Sequence, residues 1–496
     1  MNHTTLRKLN VIFTMKVYSI LLLLINLLQA QDKFSIHQSE MEYYKAKATL
    51  QKNIEYDFVF QNTFSNQSLN KTVFGYHPYW MGASWVDYDF SLLSTIAYFG
   101  AEANASGGID NWHGWPPNTL ITAAHTAGVD VVLTVTLFNS NDISTLLSSE
   151  NYRQNLITNL INSISSAGAD GVNIDFEGLP SSQKENMVQF ITDLKTAFSS
   201  VIPGSQVTLA TPAVDWSDAW DYDELAINSD GLMIMAYDYH WSSAPTTGPV
   251  APITGWGTYN VTWTVNDYLT WSGGLNDKLI LGCPYYGYEW PAESGEAGAN
   301  TIASGNAKTY STAEDSAYSY GKLRDNDSHS PWYRYQDSGW YQCWYDDSLS
   351  LSLKYDLVNQ FDLQGIGIWA LGYDGDRTEL WAALEEKFTS TISIGDEFIQ
   401  PSSIYLYPAY PNPFNAITTI TYAIKTHRRN NRNILSASSL RVYDLKGRLV
   451  ETLIHENLEK GIHEIHWNAS NYPAGIYFVS LSNGSEKVIQ KITFIK

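Results

Sequence analysis

Cysteine is almost missing: two residues, Cys283 and Cys343, in a chain of 496. That scarcity excludes a disulfide framework and a cysteine-built metal centre, and leaves one pair that an oxidising compartment could close. Charge is sparse too, at 16% of residues, and positive charge is the sparser sign. Against 51 Asp and Glu stand 30 Lys and Arg, for a formal net charge of −21. A polyanion would be repelled, so no nucleic acid and no anionic membrane is expected as a partner, and a neutral substrate fits better. His77 and His240 fall at the ends of apolar runs, yet no H-x-x-x-H or similar spacing occurs, so no metal site is expected. The chain also lacks a Gly-x-Gly-x-x-Gly fingerprint with its acid, a Walker loop and a Gly-x-Ser-x-Gly elbow. No cofactor is expected.

Long hydrophobic runs are absent with one exception, MKVYSILLLLINLLQA at Met15–Ala30. A basic residue precedes it, a small residue ends it and the polar Gln31-Asp32 follows, the pattern of a secretory signal peptide occupying residues 1–30. Met15 is an alternative start to Met1. No Cys follows the run, which argues against a lipid anchor. No membrane span is expected in the mature chain, which is expected to act as a monomer.

Aromatic residues are plentiful, with 33 Tyr and 17 Trp. They fill cores, and they also stack on flat ligands such as sugar rings. Residues 31–70 read as a polar leader with a short helix around Glu40–Lys52. From residue 72 onward come eight short apolar runs, at 72–80, 94–102, 129–138, 171–178, 206–214, 231–241, 278–290 and 365–375. Helix-like stretches such as 151–168 and 182–201 lie between them. Near-continuous apolar strands alternating with helices predict an α/β fold, a closed (β/α)8 TIM barrel over residues 71–388, in preference to an open doubly wound sheet. A Gly-, Ser- and Tyr-rich insertion at about 291–350 predicts a small extra β element between strands seven and eight. After a linker at 389–402, short alternating strands with KG, NYPAG and NGS turns predict a β-sandwich (Ig-like) domain over 403–496. Its basic THRRNNRN stretch, Thr426–Asn433, reads as a solvated turn.

The fourth apolar run holds the chemistry. DGVNIDFEG places Asn173, Asp175 and Glu177 on one face, at the C-terminal end of a strand. In a barrel that face points inward and that end is the catalytic rim. Crowded carboxylates there are forced to different pKa values, which supplies an acid beside an ionised partner. Asp170, of opposite parity at the strand entrance, is expected to support the others. The sixth run ends in Met235, Tyr237 and Asp238, and the eighth in Trp369. Tyr76, Trp80, Trp216 and Trp290 also fall at strand ends. A carboxyl cluster over an aromatic floor points to a carbohydrate site.

Together these motifs resemble glycoside hydrolase family 18, the chitinase and endo-β-N-acetylglucosaminidase family. Its D-x-x-D-x-D-x-E signature reads here Asp170, Asn173, Asp175, Glu177. Its M-x-Y-D reads Met235, Tyr237, Asp238; its strand-eight tryptophan is Trp369, and its WYDD stretch is Trp344–Asp347. The resemblance implies substrate-assisted retention through an oxazolinium ion, with Glu177 as acid and base. It implies Asp175 and Tyr237 on the substrate's acetamido group and Trp369 under the sugar. The expected substrate is a β-1,4-linked N-acetylglucosamine polysaccharide, chitin first, with peptidoglycan and N-glycan cores as alternatives. A non-catalytic sugar-binding protein is the reading from another class. Asn173 stands where chitinases commonly carry Asp, which removes a titrating partner from Asp175. The tail resembles the C-terminal sorting domain of type IX secretion through YPNPFN (Tyr410–Asn415), LRVYDLKGRLV, PAGIYFV (Pro473–Val479) and KITFIK. That resemblance implies the secretion machinery as a partner, and a secreted or surface-attached product.

Overall fold

Eight parallel strands close on themselves: β1 (Thr72–Pro78), β2 (Thr95–Ala103), β3 (Asp130–Leu137), β4 (Gly171–Phe176), β5 (Gln206–Pro212), β6 (Gly231–Met235), β7 (Leu279–Pro284) and β8 (Gly365–Trp369). Neighbours in sequence pair in order, and β8 pairs with β1 to complete the ring. In this computed structural model the described residues are 35–47 and 68–390, and in the C-terminal part 404–406, 409, 412–424, 438–456, 461–483 and 486–496. The expected signal peptide, nearly all of the linker and the basic stretch Thr426–Asn433 lie outside the described residues. Among the described residues no helix is long and apolar enough to cross a membrane.

The barrel forms because its strands are buried on both faces, lumen and helix layer, as parallel strands require. On β4 the outward residues Val172, Ile174 and Phe176 are fully buried. Phe176 stacks on Phe190 of the helix Lys184–Val201, with centroids 5.8 Å apart. That parity leaves Asn173 and Asp175 for the lumen. Gly171 lets β4 pair tightly at its entrance, since a Cβ there would sit 2.0 Å from the Gln206 carbonyl oxygen. Between β3 and β4 the helix Glu150–Ala167 is capped at both ends. Ser149 accepts from the Tyr152 N–H, and Gly168 takes the left-handed conformation at φ 62°.

The seventh apolar run divides in two. The Tyr285 N–H bonds the Trp369 carbonyl at 2.7 Å, and the chain then leaves the barrel. Tyr286–Ala292 becomes a strand of a separate five-stranded antiparallel sheet, with Asn306–Thr309, Leu323–Arg324, Pro331–Gln336 and Trp340–Trp344. The inserted sheet therefore begins at Tyr286, and the helix Tyr310–Tyr320 accompanies it. Cys283 on β7 and Cys343 in this sheet are both free and buried.

The WYDD stretch returns the chain to the barrel. Asp347 caps the helix Ser348–Gln360 in a reciprocal capping box with Ser350. Asp347 also pairs with Arg324 at 2.5 Å, and Asp346 receives the Lys354 Nζ at 2.5 Å with both side chains wholly buried. The C-terminal unit begins at Ile392. Its sheets are three-stranded (Ile404–Leu406, Ile417–Ile424, Gly461–Asn468) and four-stranded (Leu449–Glu456, Ser438–Asp444, Gly475–Asn483, Glu486–Phe494). Both are antiparallel, and they share a core that includes Phe414, Tyr422, Trp467, Val479 and Phe494.

A buried pair is costly to break from one side, because the surviving charge keeps its desolvation penalty without its partner. Lys354→Met is therefore expected to destabilise the barrel by about 3–5 kcal/mol. Lys354→Met with Asp346→Asn should recover much of that loss, as read by the shift in thermal unfolding midpoint.

Candidate active site

The C-terminal ends of β4, β6 and β8 bring the candidate residues together. Pairing places Asn173 between Thr134 of β3 and Thr208 of β5. Its Nδ2 donates to Thr208 Oγ1 at 2.9 Å, and its Oδ1 accepts from the Tyr76 hydroxyl at 3.0 Å. Both ends of the amide are thus committed away from Asp175, whose Oδ1 has no hydrogen-bond partner. Burial pushes the Asp175 carboxyl up to about 8. Glu177 follows β4, its backbone N–H on the Leu137 carbonyl at 3.1 Å. Burial, and then the nearby Asp175 charge, push its carboxyl to about 8 as well.

Just past β6, Tyr237 is buried and Asp238 holds a left-handed φ of 58°. That turn aims the Asp238 carboxylate at the Tyr286 hydroxyl, which donates to its Oδ1. Met235 ends β6 at the cleft wall. Trp369 ends β8 as the floor, fully buried and packed edge-on by Phe99 at 4.8 Å and Tyr76 at 5.4 Å. Trp80 stands beside it and donates its indole N–H to the Tyr373 hydroxyl at 3.2 Å.

Two candidates sit elsewhere. Asp170 is at the opposite end of β4, where its Oδ2 accepts from the Val131 N–H at 2.7 Å and lies 2.8 Å from His125 Nε2. At about 3.3 Å per residue, the strand's length separates it from Glu177, so its role there is to hold strand entrances together. Trp290 lies in the inserted sheet, fully buried, with its indole N–H on the Ser242 carbonyl at 2.8 Å. His77 and His240 are bound to the Tyr88 hydroxyl and the Pro249 carbonyl respectively.

The leader contributes what the sequence reading did not anticipate. Helix α1 (Ile36–Lys47) starts earlier than the expected Glu40–Lys52 and lies in the site. Ser35 Oγ donates to Glu177 Oε1 at 2.7 Å. The Ile36 N–H donates to Asp238 Oδ2 at 3.1 Å, so a carboxylate satisfies a donor left free at the start of the helix. His37 stacks on Trp369, with centroids 3.8 Å apart and planes 30° apart. Its Nδ1 lies 2.9 Å from Asp175 Oδ2 and its Nε2 lies 2.8 Å from the Tyr237 hydroxyl. Burial lowers its pKa to about 4, so the ring is neutral, one nitrogen donating and the other accepting. Glu40 Oε2 accepts from Trp369 Nε1 at 3.0 Å and from the Tyr373 hydroxyl at 2.7 Å. Among the described residues, His37, Asp175 and Glu177 also form a group that could hold a metal, one donor atom each within 4.8 Å. A hydrogen bond holds His37 to Asp175, while Glu177 Oε1, bonded to Ser35, lies 3.6 Å from His37 Nδ1. The strand-end histidines, noted in the sequence for their position and not for any metal-ligand spacing, join no such group among the described residues; the relevant histidine was in the polar leader, where no spacing or motif marked it.

Beyond Glu177 the cleft stays open, with a volume of about 590 Å³. Trp216, Trp241 and Trp256 line it with Met235, Tyr237 and Glu177. Trp216 is 69% exposed, an indole face presented to whatever enters.

Residues 72–374 match the family described as glycosyl hydrolases family 18, and residues 408–496 match a secretion system C-terminal sorting domain. A sporulation-specific glycosylase named in Bacillus subtilis is 30% identical over 243 residues, covering 47% of this chain and 54% of that protein. Human di-N-acetylchitobiase is 29% identical over 345 residues, covering 61% of this chain and 81% of its own length. Among solved structures, catalytic domain 2 of the Ostrinia furnacalis group II chitinase superposes with a TM-score of 0.57 at 22% identity, covering 64% of this chain and 97% of that one.

The Asp175 charge adds to the upward push on Glu177. Asp175→Asn should therefore lower the Glu177 pKa, so that its carboxylate band emerges at a lower pH in infrared difference titration.

Proposed function

The chain belongs to family 18 of the glycosyl hydrolases and is a glycosidase, and from that premise we propose that it cleaves β-1,4-linked N-acetylglucosamine chains, chitin before others, by substrate-assisted catalysis. The observation that carries this reading is convergence: Glu177, Asp175 and Tyr237 point into one space above the Trp369 face. Di-N-acetylchitobiase among its relatives supports a substrate of this class.

The steps follow from the groups. Glu177, whose pKa burial and then the Asp175 charge push upward, gives its proton to the glycosidic oxygen. The C1–O bond breaks as the substrate's own acetamido oxygen attacks C1, forming the oxazolinium ion. Asp175 orients the acetamido N–H, and the positive charge growing there favours the ionised form of its carboxyl. Tyr237 holds the acetamido carbonyl, and its burial keeps it a phenol, well above its ordinary pKa. Glu177, now a carboxylate, takes a proton from the water that opens the oxazolinium at C1 and restores the acid. Asn173 holds Tyr76 in place and shares no proton with Asp175. The C-terminal sorting domain directs the chain to secretion and the cell surface, where such polymers are met.

Because α1 lies over the floor, the test uses the full chain with His37→Ala and Glu40→Ala. In that background Glu177→Gln is expected to lower turnover of N-acetylglucosamine oligomers about 10²–10⁴-fold while oligomer binding persists. Cellulose oligomers, lacking the 2-acetamido group, should not be cut. Turnover should fall on the alkaline side as Glu177 loses its proton, at or below about pH 8, because displacing α1 lessens the burial behind that value. If chitin oligomers, peptidoglycan and glycoprotein all stay intact in the unblocked chain, the protein is a sugar binder and not a hydrolase.

A further inference from the structure

Helix α1 fills the space in which the proposed chemistry would take place. Its side chains meet the site group by group. His37 lies flat on Trp369 and bridges Asp175 and Tyr237, the three groups proposed to floor and clamp the acetamido sugar. Ser35 puts a hydroxyl on Glu177, where the glycosidic oxygen would receive its proton. Seven residues on from His37, and so on the same helix face, Tyr44 stacks on Trp80 with centroids 4.9 Å apart and planes 9° apart. Two flat rings on two indoles, with polar atoms on the carboxyls at the Trp369 end, reproduce what successive sugar rings would offer. Lys45 closes the far end on Glu102 at 2.7 Å.

The composition of the buried face is the second observation. An ordinary helix docks through aliphatic side chains, yet α1 buries His37, Glu40 and Met41 alongside Ile36. Burying an imidazole and a carboxyl is costly unless each finds partners, and here both do, all of them in the sugar site. Such a face suits a polar cleft and not a general core.

We propose that α1 is a built-in inhibitor, a peptide segment that occupies the sugar site in cis and keeps the exported enzyme latent until it is displaced. This rests on the glycosidase reading of that site. The helix is part of the chain, so it competes as a tethered ligand, intramolecularly and not as a dilute peptide. Short oligosaccharides are therefore shut out. The cleft lined by Trp216, Trp241 and Trp256 stays open, so a latent chain still offers a surface to polymer. Cutting the chain on the C-terminal side of α1 removes the tether and turns a cis competitor into a dilute one. Location fits this control: α1 begins six residues past the expected signal-peptide end at Ala30, so it travels with the exported chain.

The test uses the full chain and the N-acetylglucosamine tetramer. A specific-protease recognition sequence is inserted directly after Lys47, and the chain is assayed uncut, cut, and uncut with His37→Ala and Glu40→Ala. Turnover is one readout. Tetramer affinity by calorimetry, in a parallel set carrying Glu177→Gln, is the other, and thermal unfolding checks that each barrel is intact. The uncut chain is expected to turn over at least ten-fold more slowly than the cut chain and the double variant, and to bind the tetramer correspondingly more weakly. Equal turnover and equal affinity in all forms would overturn the inference. If no form turns over but affinity still rises on cutting, the inhibitor stands and the hydrolase reading falls. If affinity is unchanged by cutting, the inhibitor falls whatever the turnover.

Discussion

Desolvation of carboxyl groups at the rim of the barrel is the constraint from which the rest of the molecule follows. Asp175 is wholly buried at the end of an apolar strand, and Glu177 keeps only 15% of its side chain exposed. Neither can ionise there cheaply, so with α1 in place both are held near 8. A carboxylic acid that keeps its proton at neutral pH is what glycosidic-bond cleavage requires. The same penalty makes the site receptive to hydrogen-bonding groups that replace water. An acetamido sugar supplies them, and so does the edge of an imidazole.

The scaffold exists to hold that unfavourable arrangement. Phe176 and its neighbours bury the outer face of β4 so that the inner face can carry polar groups. Asn173, engaged by Tyr76 and Thr208, fills the lumen below without adding a third titrating carboxyl. The left-handed turn at Asp238 and the hydroxyl of Tyr286 tie the end of β6 to the inserted sheet. Trp80, Phe99 and Tyr76 fix the Trp369 plane from three sides. A floor held this firmly gives His37 the stacking face proposed for a sugar.

A helix in the site changes how the parts relate in time. The sorting domain concerns where the chain goes, the barrel what it does there, and α1 when it begins. Placing the inhibitory segment ahead of the barrel allows its removal without disturbing the barrel strands, the first of which begins at Thr72. Leaving the Trp216 side of the cleft open keeps a route by which polymer can approach before the latch is released.

Much of the site was legible in the sequence because it depends on local periodicity. Alternation along residues 170–177 put Asn173, Asp175 and Glu177 on one face, and the barrel's strand order put that face beside Tyr237 and Trp369. Asp170 and Trp290 show the limit of such reading. Parity and strand ends name candidates, but the length of β4 carries Asp170 to the far rim, and the break at Tyr285 sends Trp290 into another sheet. The leader was illegible for a different reason. Its partners are 138 residues away at Asp175 and 329 residues away at Trp369, and no spacing within IHQSEMEYYKAK encodes them. Sequence by itself named the candidates for the chemistry on β4, since strand period and residue type suffice for that. Only the tertiary structure decided what lies on them, because a helix with a polar buried face has no preferred surface until a desolvated polar cleft is built to receive it.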